Sequence, residues 1–371
     1  MTRRAGIDFS SRWFDEFVSE YPVNGNVLTG GANGHISWQP PTSTASFDNI
    51  IVASDYATLQ LAVTASCDAG KTLLLNRSFD VGASIPLETD GSTIIGIGEN
   101  VVTLTATAGL TAGVFDIRVD GVSLGGFKID GDNQANCVGL SIGSVPGTSV
   151  GTAKRGTLRD IEIENCAQAI RFGDDVDYWS CQNIRMMDGN VRCIYIDVTA
   201  GGLYDNGHVY FTDCEMSATL TCLERVAVGS TFHRLDFRGC DFHDGHSNNY
   251  MVDTSTIHEC RFYGCTFEAG DGLNQGPDDA MLYLNSYASG CWGCSFSFKD
   301  NTAGYDGVRA HTDYDPYPFY SCLMENSVAG QHVEIIGTGA TAVLTGLQST
   351  YRYNCAGTAA TNAVDLYDLV D

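Results

Sequence analysis

Basic residues are scarce in this chain. Its 371 residues include 20 Lys and Arg against 45 Asp and Glu, a formal net charge of −25. A balance this acidic argues against nucleic acid or an anionic membrane as a partner. Long hydrophobic runs are missing too. No stretch reaches the roughly 18 consecutive apolar residues of a spanning helix, and residues 1–30 hold no apolar run fit for a signal peptide. The expectation is a protein made and folded in a reducing cytoplasm, without membrane insertion. Helical periodicity is also absent between residues 70 and 371, which excludes a helix-based solenoid. Lys and Arg thin out further after residue 200, so no basic cluster is expected there.

What the chain does have is a repeat. A small, turn-forming residue recurs at Gly96, Gly126, Asp160, Asn183, Asp213, Gly239, Gly264, Gly293, Ser321 and Gly346, with spacings from 23 residues (Asp160 to Asn183) to 34 (Gly126 to Asp160). An apolar residue follows each, as in Ile161, Cys240 and Cys265, and another stands two before, as in Leu158, Phe237 and Phe262. Apolar and polar residues alternate on both sides, which reads as two short strands meeting at a corner. Gly, Asn and Asp reach left-handed backbone angles at least cost, so they suit that corner. A second apolar pair, such as Leu140 with Ile142, Ile170 with Phe172 or Leu282 with Leu284, marks a third strand in each repeat, held less regularly by Leu223 and Met251. Three strands per turn and a fixed corner predict an all-β fold, a parallel β-helix of about ten coils over residues 51–371. At about 4.8 Å per coil, the rod would be on the order of 50 Å long.

Most of the 14 cysteines fall in the inward columns. Cys214, Cys240, Cys265, Cys294 and Cys322 would stack as free, buried thiols acting as small apolar core residues. The Cys291-Trp292-Gly293-Cys294 spacing suits a zinc or redox pair, but the repeat already explains both cysteines. No metal and no other cofactor is expected.

The ends differ from the coil. Residues 1–50 carry Trp13, Phe14, Phe17 and Trp38, which a solvated tail would not need. This segment reads as an anchor that packs on another protein, with a plain structural cap as the alternative. A helix near 54–66, with Ser54 as N-cap, would close the top of the rod. No cap follows the strand at Ala363–Leu366, so another chain is expected to cover that end.

The run Tyr56-Ala-Thr-Leu-Gln-Leu-Ala62, then Gly70-Lys-Thr-Leu-Leu-Leu75, then coils such as Val122-Ser-Leu-Gly-Gly-Phe-Lys-Ile-Asp130 resembles the pectate-lyase-like right-handed parallel β-helices. Within that superfamily the resemblance is to bacteriophage tailspikes and tail-fibre receptor-binding proteins, over roughly residues 50–370. It implies a homotrimer in the virion tail, assembled in the host cytoplasm, joined to another tail or baseplate protein through residues 1–50 and contacting a host surface glycan. The superfamily includes lyases, hydrolases, epimerases and inert spikes, so activity stays open. A virion or secreted polysaccharide hydrolase and a purely structural spike are the alternatives.

Two groups of residues are candidates for function. Asp244 and Glu268 follow the corners at Gly239 and Gly264 and would face each other on adjacent coils, at the spacing retaining glycosidases use. Turn residues are the plainer account of both, and Asp130, Glu164, Asp188 and Glu325 hold equivalent places in other coils. Lyase chemistry ranks below hydrolysis for want of basic residues. Asp241, His243, Asp244 and His246 read as a polar turn rather than a metal site, and Asp174-Asp175-Val176-Asp177 as a solvated acidic loop. On the outside, Tyr263, Trp292 and Tyr320 occupy one column in three consecutive coils, with Tyr314 and Tyr317 nearby. Stacked exposed aromatics fit a subunit interface or a platform for sugar rings, the interface being favoured.

Overall fold

A computed structural model describes residues 27–30, 36–39, 49–98, 101–110, 112–144, 151–187, 189–198, 206–225, 232–243, 250–255, 257–269, 280–286, 288–298, 306–311, 317–320, 322–324, 333–336, 344–345 and 355–357. Trp13, Phe14 and Phe17 of the expected anchor segment, the residues Asp244, His246 and Tyr314, and the strand expected at Ala363–Leu366 lie outside these. Val27–Gly30 and Ile36–Gln39 pair antiparallel.

From Ile50 onward the chain is a parallel β-solenoid, and the strand pairings form three ladders. The first runs through Thr72–Leu75, Trp179–Met187, Phe232–Arg238, Ile257–Tyr263 and Gly290–Trp292. The second includes Glu215–Ser217, Asp241–His243, Thr266–Ala269 and Ser295–Phe298. The third is an eleven-stranded sheet from Ile85–Leu87 to Cys355–Gly357. The strands Ser123–Asp130, Thr157–Glu164 and Trp179–Met187 pass through the corner and serve both the first and the second ladder.

The corner column is left-handed, as the sequence predicts. Gly126, Asp160, Asn183, Asp213, Gly239, Gly264 and Gly293 have φ of 74°, 53°, 52°, 53°, 59°, 60° and 64°. Asn183 Nδ2 also donates to Asp160 Oδ1 at 2.7 Å, tying one corner to the next. Gly96 departs from the pattern. It does not share the positive φ, and it is glycine because a Cβ there would lie 2.0 Å from the Gly126 carbonyl oxygen.

The core is built by register. Phe211, Phe237 and Phe262 stack at 5.1 and 5.2 Å between centroids, and Phe242, Phe267 and Phe296 at 4.9 and 4.6 Å, with interplanar angles no greater than 12°. Beside them Cys214, Cys240, Cys265, Cys294 and Cys322 are all buried and all free. Their thiols donate to backbone carbonyls, as Cys294 Sγ does to Phe262 O at 3.4 Å. Burial pushes the thiols of Cys181 and Cys260 up, which keeps them protonated. In the third ladder Leu223 is in register with Val252, so Val252 and not Met251 carries the inward column.

Helix α1 spans Leu59–Ala69 and buries Leu59, Ala62, Val63 and Ser66. It starts later than expected because Ser54 is not its cap. Ser54 exchanges two hydrogen bonds with Asn76 of the neighbouring strand region, at 3.1 and 3.0 Å. Thr58 is the N-cap instead, its hydroxyl accepting from Leu61 N, and Gly70 closes the helix at φ 61°.

Candidate functional site

Outward residues of a β-solenoid form rows, because the same strand position recurs on each coil one strand spacing away. Function therefore has to be sought along rows.

On the first ladder, one row runs Arg238, Tyr263, Trp292, Tyr320. The Tyr263 and Trp292 rings stack at 4.8 Å and 16°, and the Arg238 guanidinium lies 5.3 Å from the Tyr263 centroid. The backbone of Tyr317 and Tyr320 lies in the strand Tyr317–Tyr320. The expectation that no basic cluster forms after residue 200 fails here. Arg234, Arg238 and Arg261 come from two adjacent strands; the first two pair with Asp236, which is fully buried, and Arg261 pairs with Glu259 at 2.9 Å. Arg234 holds Asp236 through two bonds of 2.9 and 2.8 Å. Linear spacing hides this cluster; strand register creates it.

On the second ladder, charges alternate along the coil axis. Lys128 meets Glu162 at 3.0 Å and Glu164 at 2.6 Å, and Arg185 meets Glu162 at 3.4 Å and Glu215 at 3.1 Å. Glu268 belongs to this face, and its register partner is His243 rather than Asp244. His243 Nδ1 lies 3.8 Å from Glu268, and Nε2 lies 3.7 Å from Glu215. Among the described residues no group of three or more His, Cys, Asp or Glu side chains could hold a metal ion.

The acidic loop at 174–177 is built in rather than merely solvated. Asp174 is buried and bridges Ser144. Asp177 Oδ1 accepts from Tyr178 N, His208 N and His208 Nδ1, the last at 2.9 Å, while the His208 ring stacks on Tyr178 at 4.9 Å.

The third ladder carries the row that sequence reading missed. Ser141, Arg171, Tyr195 and Glu224 are successive register partners, and Asp253, Tyr283, Arg309 and Glu334 continue the line. Leu223 pairs with Val252, so Glu224 and Asp253, the residues that follow them, are neighbours on adjacent coils. Two carboxylates thus sit side by side, flanked by tyrosines and then by arginines. Arg192 forms an ion pair with Glu224 and lies over the Tyr195 ring at 5.4 Å. Tyr283 stacks on Tyr250 at 4.2 Å.

Ionisation is perturbed along this row. Burial pushes the Asp253 carboxyl above the ordinary range and Glu224 adds to the shift, against a 2.8 Å hydrogen bond from Ser255 N. Burial likewise raises Tyr195, with Asp197 and Glu224 contributing. Asp197 is raised by burial, opposed by Arg171. Perturbed groups gathered on one face mark a functional-site candidate. The sequence signal was present as a polar residue between the third strand's apolar pair in each repeat, but only register lines these residues up.

No protein-family model and no curated protein matches the chain. Solved structures do share its fold. ORF18 of Geobacillus virus E2 is 16% identical, with 91% of this chain and 65% of that chain covered and a TM-score of 0.52. Full-length tailspike protein 2 of the Escherichia coli O157:H7 bacteriophage CAB120 is 11% identical, over 92% of this chain and 49% of that chain, with a TM-score of 0.53. The mannuronan C-5 epimerase AlgE6 A-module of Azotobacter vinelandii is 11% identical, over 84% of this chain and all of that one, also at 0.53. The chain thus spans about two thirds of the Geobacillus virus protein and half of the tailspike. These likenesses establish the parallel β-helix.

Proposed function

We propose that this chain is a bacteriophage tailspike or tail-fibre protein that binds a bacterial surface polysaccharide along the outside of its coil. The observation that carries the reading is the third-ladder row Arg171, Tyr195, Glu224, Asp253, Tyr283, Arg309. Its partly exposed members, Arg171, Tyr195, Glu224 and Asp253, offer a charged donor, a phenol ring and carboxylate acceptors one strand spacing apart along the rod axis, while Tyr283 and Arg309 are buried beside them. A polymer of repeating sugars presents hydroxyls at regular intervals and is matched by a regular row better than by a closed pocket. The fold's neighbours include a phage tailspike and an enzyme named for a polysaccharide substrate, and the acidic chain is poorly suited to nucleic acid.

In this reading the protein is a homotrimer of the virion tail, and residues 1–50 join it to another tail protein. The Arg238–Tyr263–Trp292 column fits the subunit contact better than a sugar platform. Arg238 and Trp292 belong to the strands on either side of Tyr263, so the two faces of that ring are already covered.

Binding is tested by passing the full chain over a panel of immobilised capsular and lipopolysaccharide glycans. Retention on one or more, weakened at least tenfold by Tyr195→Ala, is the expected outcome. Absence of retention on every member of the panel overturns the reading.

A further inference from the structure

We infer that His233 and His258 form a binding site for one divalent transition-metal ion of the zinc, copper or nickel class, held through two imidazoles from adjacent coils. The pair belongs to the first ladder, not to the third-ladder row, and stands independently of the glycan-binding reading.

Register brings the two rings together. Phe232 pairs with Ile257 and Arg234 with Glu259, so His233 and His258, which stand between them, face each other on neighbouring strands. Phe232 and Ile257 are buried in the core, whereas His233 is half-buried and His258 exposed, so an ion can reach the pair from solvent. The ring centroids are 5.8 Å apart. An imidazole bound through nitrogen at about 2.1 Å puts its centroid roughly 3.2 Å from the ion, so two rings sharing one ion at tetrahedral or wider angles have centroids roughly 5–6 Å apart. The two rings already stand at that separation.

Orientation is the second observation. Other rings that are register partners lie parallel: Phe237 on Phe262 at 6°, Phe242 on Phe267 at 7° and Tyr263 on Trp292 at 16°. His233 and His258 instead meet edge to face at 77°. The lone pairs of an imidazole nitrogen lie in the ring plane. Those of stacked rings run side by side and cannot converge on one point, whereas those of crossed rings can. The pair thus departs from the packing of its neighbours in the direction that shared ligation needs.

The donor set fixes the class of ion. Imidazole suits zinc, copper and nickel, while calcium and magnesium take oxygen ligands. Among the described residues no group of three or more His, Cys, Asp or Glu completes a closed set, so water fills the remaining positions. The flanking cations are held by carboxylates: Arg234 donates to Asp236 at 2.9 and 2.8 Å, and Arg261 pairs with Glu259 at 2.9 Å. The net charge of −25 favours a divalent cation at the surface. A bound ion ties one coil to the next and stabilises the folded state by mass action.

The test uses the full chain, stripped with a chelator and titrated with zinc chloride in a calorimeter at pH 7. Zinc should bind, and His233→Ala and His258→Ala should each weaken binding at least tenfold at unchanged circular dichroism. His258 is exposed, so its substitution leaves the fold in place. His243→Ala, on the second ladder, should leave the affinity unchanged. Zinc should raise the Tm of wild type and not of the two variants, and binding should fade at pH 5, where imidazoles take up protons. Copper(II) supplies a readout that lost packing cannot mimic. Its electron paramagnetic resonance should show coupling to two imidazole nitrogens in wild type and to one in either variant. Absence of zinc binding, equal affinity in both alanine variants, calcium binding in place of zinc, or a two-nitrogen copper signal that survives either substitution overturns the inference.

Discussion

Tyr263 and Trp292, 29 positions apart in sequence, stack face to face at 4.8 Å and 16° on the outside of the coil. Parallel in-register strands force this contact, since side chains at one strand position lie a single strand spacing apart. Arg238 lies against Tyr263 from the preceding strand, so the column turns its edges outward. Flat aromatic edges beside a guanidinium suit burial against another protein surface.

Trp292→Ala should therefore weaken self-association at least tenfold and leave the coil folded. Light scattering over a concentration series should shift from trimer towards monomer at unchanged circular dichroism. A wild-type chain that stays monomeric across the whole series would rule out the interface.

The corner column yields a stability prediction. Gly264 has φ 60° and open space around its missing Cβ, so Gly264→Ala should cost only the left-handed penalty, about 1–2 kcal/mol. Gly96→Ala should cost more, because its Cβ would meet the Gly126 carbonyl oxygen at 2.0 Å and both strands would have to move apart. Urea titrations of the two variants measure the difference, and equal losses would show that the close approach does not matter.

The thiol column predicts a labelling pattern. Cys67 is only half-buried, whereas Cys214, Cys240, Cys265, Cys294 and Cys322 are buried in the core. A thiol reagent should label Cys67 in the native protein and reach the five stacked sulfurs only when the coil unfolds. Native-state labelling of the five at the rate of Cys67 would contradict the inward column.

The fold was legible because a solenoid repeats its own constraints. One corner residue is ambiguous, but the same corner recurring with apolar residues on both sides specifies strands, turn and inward face together. Seven corner angles and the thiol and phenylalanine stacks follow from that register. The outside was legible only in part. Tyr263 and Trp292 occupy the column assigned to them, whereas the Asp244–Glu268 pairing does not follow from register, because counting from the corner puts His243 opposite Glu268. The arginine cluster around Asp236 and the Glu224–Asp253 pair were missed for a different reason. Their partners on adjacent strands are 23 to 29 residues apart (Arg238 to Arg261; Glu224 to Asp253), and variable loop lengths hide the alignment that hydrogen-bonded strands impose.

Asp253 yields a pH-dependent stability prediction. Its folded-state pKa is raised, by burial first and by Glu224 second, so the fold disfavours the ionised form. A carboxyl raised in this way contributes stability that is complete below its unfolded pKa of about 3.9 and is lost as pH rises through the higher folded value. At neutral pH the wild-type protein bears that cost. Asp253→Asn removes the charge and keeps the shape, so it should raise Tm at pH 7, and the advantage should shrink towards pH 3.5, where wild type is protonated as well. Glu224→Gln should behave oppositely at pH 7, because it strips Arg192 of its ion-pair partner. Thermal melts of wild type and both variants at the two pH values separate these outcomes. Lower stability of Asp253→Asn at neutral pH would mean that Asp253 supports the fold as an anion, contrary to its raised pKa.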